Sequence, residues 1–515
     1  MPSLTASIAQ VGGNTLLSRL LGFARDLVIA RLFGADGATD AFFVAFKIPN
    51  FLRRLFTEGA FSAALVPVLE EYRQRRSFAD LKGLVDSLAG TLGLALLLIT
   101  ALGVLAAPPL LLAFAPGFAG DLGQRELTTE MLRLTFPYLL FIGLTALAGG
   151  LLNTFERFGV PSFTPVLLNL ILIGCAVWLA PQMPEPIVAL AWGVLIAGIM
   201  QLAFQLPFLA RLRLLPRPRV RPRDPGVRRI AGLMGPALLG VSVTQINLLL
   251  DTLLASFLVA GSISWLYYSD RLVEFPLGLL GVALGVVILP RLSRRYAAET
   301  PQAFSHTLDW ALRWVLMLGV PAGTGLVVLA GPLIATLFHS SEFGASDVAM
   351  TSYSLMAYAV GLVAFMAIKV LVPGYYARQD MAAPVRIALI ALAANLLMSL
   401  ALMAPLGHAG LALATSLAAG LNAVLLLLGL MRAGIYRPEA GWAGLCAKVG
   451  SATILMGGLL HLGAGPTADW LALGGLERVA RLFVWILLGG FVYLATLWLL
   501  GIRPRHLLHE AESDR

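Results

Sequence analysis

Charge is scarce in this sequence. Of 515 residues only 13% are Asp, Glu, Lys or Arg, while 58% are hydrophobic, and the mean hydropathy is +0.84. A soluble chain carries about 25% charged residues, so the deficit excludes a water-soluble multidomain protein and leaves a polytopic membrane protein. Cysteine is nearly absent. Cys175 and Cys446 stand far apart in apolar runs, which supports no disulfide framework. Lysine is also rare beside arginine, and with so much Ala, Leu and Gly this reads as compositional bias rather than selection for phosphate-gripping side chains. No GxxxxGK[ST] occurs, so an ATP-binding P-loop is excluded. The six His are scattered; only His506 and His509 are close, in a polar tail, and no metal site is expected. The opening "MPSLTAS" lacks the basic region of a cleavable signal peptide, so the first apolar segment is expected to be retained.

What the chain has is long apolar runs. A spanning helix needs about 20 mostly apolar residues, and about fourteen such segments can be placed. They begin near residues 5, 38, 83, 128, 161, 186, 228, 262, 305, 348, 382, 407, 441 and 478. Basic residues alternate between loops. One side receives Arg73, Arg75, Arg76, Lys82, Arg157, the eight arginines from Arg211 to Arg229, and Arg291, Arg294, Arg295, Arg378, Arg432, Arg437, Arg503 and Arg505. The other side holds little beyond Arg125 and Arg478. The bias predicts that both termini and the connection "RLRLLPRPRVRPRDPGVRR" are cytoplasmic. Pro–Arg alternation favours an extended linker there. The net charge of +9 is explained by orientation, so no nucleic-acid partner is expected.

The linker separates two related halves. At one constant offset Ala9, Gly13, Leu16 and Leu17 recur as Ala231, Gly235, Leu238 and Leu239. "GAFSAALVPVLEEY" from Gly59 parallels "GVALGVVILPRLSRRY" from Gly281, and "FER" at Phe155 parallels "YAR" at Tyr376. An even number of spans per half gives a parallel repeat, an architecture suited to alternating access. The expected fold is therefore all-α: an N-lobe over 1–215, a basic cytoplasmic linker over 216–227, a C-lobe over 228–434, two extra helices over 435–502 and a cytoplasmic tail over 503–515.

Intramembrane charge concentrates in the first two spans of each half. These hold Arg19, Arg25, Asp26, Asp40, Lys47, Arg53, Arg54 and Glu58, then Asp251, Asp270, Arg271 and Glu274. Lipid exposure of such groups is costly, so they are expected to line a shared central cavity. Asp40, Lys47 and Arg54 recur every seven residues and so form one helical stripe. Pro49 should bend that helix and turn Arg53 inward, and Gly22-Phe23 is a weaker candidate break in the first span. Tyr267, Asp270, Arg271 and Glu274 share one helix face. Mutual ion pairing would neutralise part of this set. Arginine nevertheless stays charged and grips phosphate bidentately, which suits a pyrophosphate ligand better than a cationic drug. Lys369, inside the tenth span, is open between snorkelling and binding.

"SRLLGFARD", "FGADGATDAFFVAFKIPNFLRRLFTEGAFSAALVPVLEEY", "GSISWLYYSDRLVEFPLGLLGVALGVVILPRLS" and "VLVPGYYARQD" closely resemble the MurJ (MviN) lipid II flippases of the multidrug/oligosaccharidyl-lipid/polysaccharide exporter superfamily. The likeness runs over essentially the whole chain. It implies two six-helix lobes plus two helices forming a lipid-tail groove. It also implies movement of undecaprenyl-pyrophosphoryl-MurNAc-pentapeptide-GlcNAc from the inner to the outer leaflet of the bacterial cytoplasmic membrane, for peptidoglycan synthesis. Arg19, Arg25, Arg53 and Arg271 correspond to the family's cavity arginines, with Asp26 and Asp40 as matching acidic positions. Lys47, Arg54, Asp270 and Glu274 are expected to support them. Asp251 and Asn247 are candidates for ion coupling.

No cofactor is expected; sodium, protons or the membrane potential are the candidate energy sources. Lipid II and the bilayer are the expected partners, with cell-wall synthesis proteins as candidates, around a monomer. The nearest rival reading is a flippase for an O-antigen or capsular lipid intermediate. A membrane enzyme acting on polyprenyl-phosphate sugars ranks lower, because its acid–base or metal groups belong at a membrane face and the carboxylates here are deep beside cations.

Overall fold

The computed structural model describes residues 4–54, 61–278, 282–297 and 300–502, and those residues are almost entirely helical. The chain divides into two compact units between Ser264 and Trp265.

The first unit holds α1 (Leu4–Phe33), α2 (Gly37–Arg53), α3 (Ser62–Arg75), α4 (Phe78–Leu105), α5 (Ala107–Phe114), α6 (Leu122–Thr135), α7 (Tyr138–Thr154), α8 (Gly159–Gly174), α9 (Val188–Arg211) and α10 (Pro225–Ala255). Helix α11 (Ser262–Pro276) begins in it. Starts are set by side chains that occupy otherwise unpaired backbone donors, each worth about 1 kcal/mol. Ser77 and Asp80 form a reciprocal capping box on α4. Asp121 accepts the Gln124 N–H at 3.0 Å, and Asp224, before Pro225, accepts from Gly226 at 2.9 Å. Leu65, Val68 and Leu69 of α3 pack into a core with Leu84 and Leu88 of α4, Leu147 and Leu151 of α7, and Leu209 of α9. Helix α1 lies against α8, and α7 against α9. No break occurs at Gly22-Phe23, contrary to expectation: α1 is continuous.

The second unit continues with α12 (Val282–Ala297), α13 (Pro301–Val328), α14 (Ala330–Leu337), α15 (Ala345–Val360), α16 (Leu362–Tyr376), α17 (Ala382–Arg432), α18 (Trp442–Ala464), α19 (Thr467–Ala472) and α20 (Gly475–Leu499). Helix α13 packs on α15, α16 and α18. Tyr268, Phe338 and Phe343 form a fully buried aromatic cluster with centroids 5.2–5.8 Å apart. Although α17 runs for 51 residues, Gly407 breaks it with φ +57° and ψ −135°, just after Pro405. A side chain would be strained there. The two arms carry the spans expected from 382 and from 407.

Among the described residues eight helices are long and apolar enough to cross a membrane, and the bent pair α15–α16 makes a ninth. Helices α2 and α11 fall outside that group because they have 17 and 15 residues, and α1, which carries Arg19, Arg25, Asp26 and Arg31, is outside it as well. The buried charges on these helices, Arg25, Asp26 and Asp40, depend on protein partners rather than lipid.

The internal repeat is visible in helix boundaries. Helices α4 and α13 each have 28 residues, and α5 and α14, which follow them, each have eight.

Candidate functional site

In the first unit the buried charge sits where α1 meets α8. Asn14 of α1 donates to the Gly159 carbonyl at 3.0 Å and to Ser162 Oγ at 2.8 Å. Further along, Asn169 of α8 donates to the Ser18 carbonyl at 3.0 Å and accepts from Arg25 Nη1 at 3.1 Å. Arg25 also donates through Nε and Nη2 to one oxygen of Asp26, at 3.0 and 2.6 Å. Arg25 and Asp26 are only 6% and 1% exposed. Mutual neutralisation keeps α1 intact, because leaving one member of a buried pair alone costs roughly 3–5 kcal/mol. Asn169 stands alone in the apolar run "VLLNLILIG", and sequence reasoning passed over it. Its signal was a single amide in an otherwise hydrocarbon run. Arg19, one of the expected head-group ligands, is exposed.

The stripe on α2 divides into separate duties. Asp36 caps the helix through the Thr39 N–H at 2.9 Å. Asp40, 2% exposed, accepts from the Gly261 N–H at 2.7 Å, the Ser264 N–H at 2.8 Å and Ser264 Oγ at 2.6 Å. It thus works as a cap for the backbone that opens α11. Lys47 reaches Thr252 Oγ1 at 2.8 Å. Past buried Pro49, Arg53 donates through Nε to Asn50 Oδ1 at 2.7 Å, and Arg53 and Arg54 are half-buried. Asn247 and Asp251, one turn apart on α10, are half-buried as well. Glu58 lies outside the described residues.

In the second unit the predicted face of α11 is assembled. Arg271 donates to Glu274 Oε2 at 2.8 Å and to the Tyr267 hydroxyl at 3.3 Å, with its guanidinium carbon 5.3 Å from the Tyr267 ring centroid. Asp270 is half-buried and Glu274 exposed, as is Lys369 on α16.

Beyond the first two spans of each half, two further carboxylates are buried toward the starts of their helices. Asp86 of α4 and Asp309 of α13 are 4% and 0% exposed. Asp86 pairs with Lys82, accepts the Arg217 N–H at 2.8 Å, and offers its own carbonyl to the Arg219 N–H at 2.9 Å. Asp309 pairs with Arg313 Nε at 2.6 Å and accepts from Tyr436 Oη and Trp442 Nε1, both at 2.7 Å, and from the Glu439 N–H at 3.2 Å. Burial and that carboxylate hold the Tyr436 hydroxyl protonated far above the ordinary phenol range. The Pro–Arg linker is extended as expected, and these contacts fix it along α4. Arg478, counted as a loop charge, is 9% exposed and donates to the carbonyls of Ala335, Leu471 and Leu473 at 2.9–3.1 Å.

A family profile described as lipid II flippase MurJ matches residues 29–476. The chain is 48% identical over 504 residues to the probable lipid II flippase MurJ of Vibrio cholerae serotype O1, covering 96% of each. It is 41% identical over 516 residues to the lipid II flippase MurJ of Burkholderia cenocepacia, covering 99% of this chain and all of that one. A solved lipid II flippase MurJ in an inward closed conformation superposes with a TM-score of 0.78 at 26% identity, over 94% of this chain and 97% of the other. An inward-facing multidrug resistance MATE family transporter of the MOP superfamily shares the fold, with a TM-score of 0.64 at 15% identity, over 81% and 94%.

Proposed function

The chain belongs to the MurJ lipid II flippase family, and from that premise we propose how its charged helices move the substrate. It is a multi-pass membrane transporter, not an enzyme, and its substrate is lipid II, which places it in peptidoglycan synthesis. Our reading is that Arg19, Arg25, Arg53 and Arg271 bind the pyrophosphate and acidic head group, supported by Asp26, Asp40, Lys47, Arg54, Asp270 and Glu274, during alternating access. Both termini and the Pro–Arg linker face the cytoplasm, and the protein acts as a monomer in the inner membrane. Cell-wall synthesis proteins are candidate partners. The two helices α18 and α20 form the lipid-tail groove.

The observation that carries the reading is the Arg25–Asp26–Asn169 cluster on α1 and α8. A guanidinium satisfied by one carboxylate oxygen and one amide is a ligand held in register. A phosphate can replace the carboxylate with better fork geometry, because guanidinium meets phosphate through two parallel N–H···O bonds. Lysine offers a point charge and cannot do this equally well. The test is replacement of the sole gene copy by Arg25→Ala, Arg53→Ala or Arg271→Ala, with protein level and lipid II exposure at the outer leaflet both measured. Loss of exposure greater than any fall in protein level supports the reading; wild-type exposure in all three overturns it.

For energy, we propose that the membrane potential biases return of the empty carrier, with Asp251 and Asn247 binding sodium or a proton as modifiers. One elementary charge crossing 100 mV is worth about 2.3 kcal/mol, so uncompensated arginine charge in an empty carrier suffices to set the bias.

A further inference from the structure

We propose that the first half carries a structural phospholipid site at the Pro–Arg linker, with an acyl chain in the cavity beneath residues 215–220 and an anionic head group on the arginines above it. The cavity holds about 480 Å³ and is bounded by α4, α7 and α9, with the linker across one end. Gly90 and Gly93 of α4, Leu144 of α7 and Leu206 of α9 are typical of its lining, which is almost wholly hydrocarbon. Such a space in a bilayer is filled by a lipid chain more readily than by water, which would find few hydrogen-bond partners there.

The linker has two chemical faces. In extended chain successive residues point to opposite sides. Pro216, Pro218 and Val220 line the open end of the cavity, and the intervening Arg217, Arg219 and Arg221 are exposed outside its lining. Their backbone N–H groups are anchored to Asp86 and Thr91, at 2.8–3.0 Å. Gly90 makes the close approach possible: a Cβ there would sit 2.3 Å from the Arg219 backbone. A row of guanidinium groups carried on an anchored backbone at the mouth of an apolar slot complements an anionic lipid, with charge at one end and chain at the other.

The repeat supplies an independent argument. Counted from their helix starts, Leu94 of α4 and Met317 of α13 are equivalent. Met317 is 3% exposed, and its carbonyl accepts the Tyr493 hydroxyl of α20 at 2.6 Å. Leu94 is 40% exposed and borders the cavity. The second half covers this position with an extra helix, and the first half leaves it to a lipid. The site stands apart from the substrate arginines, so it holds whether or not their proposed role does.

The test uses full-length protein delipidated in mild detergent, reconstituted into vesicles of equal phosphatidylglycerol and phosphatidylcholine, re-extracted, and weighed intact with its bound lipid. Wild type should retain phosphatidylglycerol several-fold over phosphatidylcholine. Gly93→Phe, which fills the slot from α4, should abolish retention of both; Leu144→Phe, filling it from α7, replaces it if the first variant fails to fold. Arg217→Gln, Arg219→Gln and Arg221→Gln together should leave lipid bound but without head-group preference. Retention in the filled variants equal to wild type overturns the assignment. So does wild type that emerges with no lipid, with detergent alone, or as a dimer masking the cavity.

Discussion

Asp86 and Asp309 hold the same place in the two halves and perform the same task. Each is the ninth residue of a 28-residue helix, counting from Phe78 and from Pro301. Each is buried, paired with a basic residue one turn away, and accepts a backbone N–H from the segment leaving its half, Arg217 in one case and Glu439 in the other. The repeat thus extends from helix lengths to a specific tether.

Asp309→Ala should lower thermal stability in detergent, because Tyr436, Trp442 and the Glu439 N–H would lose a common acceptor. Each buried donor left unpaired costs about 1–3 kcal/mol. Asp309→Asn keeps one acceptor oxygen and should fall between. A melting temperature for Asp309→Ala equal to that of wild type would show the tether to be dispensable.

Asp86→Ala is expected to free the linker more than it destabilises the fold, since Lys82 can still donate to the Leu215 carbonyl at 2.7 Å. Limited proteolysis after Arg219 reports this, because Pro218 and Pro222 block cleavage after Arg217 and Arg221. Cleavage should accelerate severalfold in the variant; an unchanged rate means the linker is held chiefly by the contacts that remain, the residue-86 carbonyl to the Arg219 N–H, Thr91 to the Arg221 N–H and Leu214 in the core.

For Arg25 the pair itself separates structure from transport. Arg25→Ala alone takes a guanidinium partner from the buried Asp26 carboxylate and should reduce accumulation, by up to roughly 3–5 kcal/mol for a broken buried pair. Arg25→Ala with Asp26→Ala should recover accumulation while lipid II exposure stays lost. Recovery of both would assign the pair to folding alone.

Asp40→Ala removes the acceptor for Gly261 and Ser264 and should destabilise the first unit more than Asp40→Asn does. Hydrogen exchange at residues 256–264 is the direct measurement. Equal protection in wild type and both variants would falsify the capping role.

Topology can be read by single-cysteine labelling once Cys446, which is exposed, is changed to Ser; Cys175 is buried. Cysteine at exposed Arg221 should react only after the membrane is opened, and cysteine at Arg125 from outside. The reverse pattern rejects the proposed orientation and the leaflet assigned to the linker.

Hydropathy and loop arginines were enough to read an all-helical membrane protein with a two-fold repeat and to single out its charged helices. Those properties rest on local composition and on a period of 3.6 residues, both visible along one chain. The face joining Tyr267, Arg271 and Glu274 was legible for the same reason, because its members lie within two helical turns. The partners of the charges were not. Asn169 meets Arg25 across 144 positions, Ser264 meets Asp40 across 224, and Asp309 gathers Tyr436 and Trp442 across 127 and 133. Burying a charge is costly unless donors or acceptors arrive from elsewhere, and only packing decides which residues arrive. The sequence alone determined that these groups needed partners; the tertiary structure decided that Asp40, Asp86 and Asp309 find them in backbone N–H groups, and Arg25 in a neighbouring carboxylate and a lone asparagine.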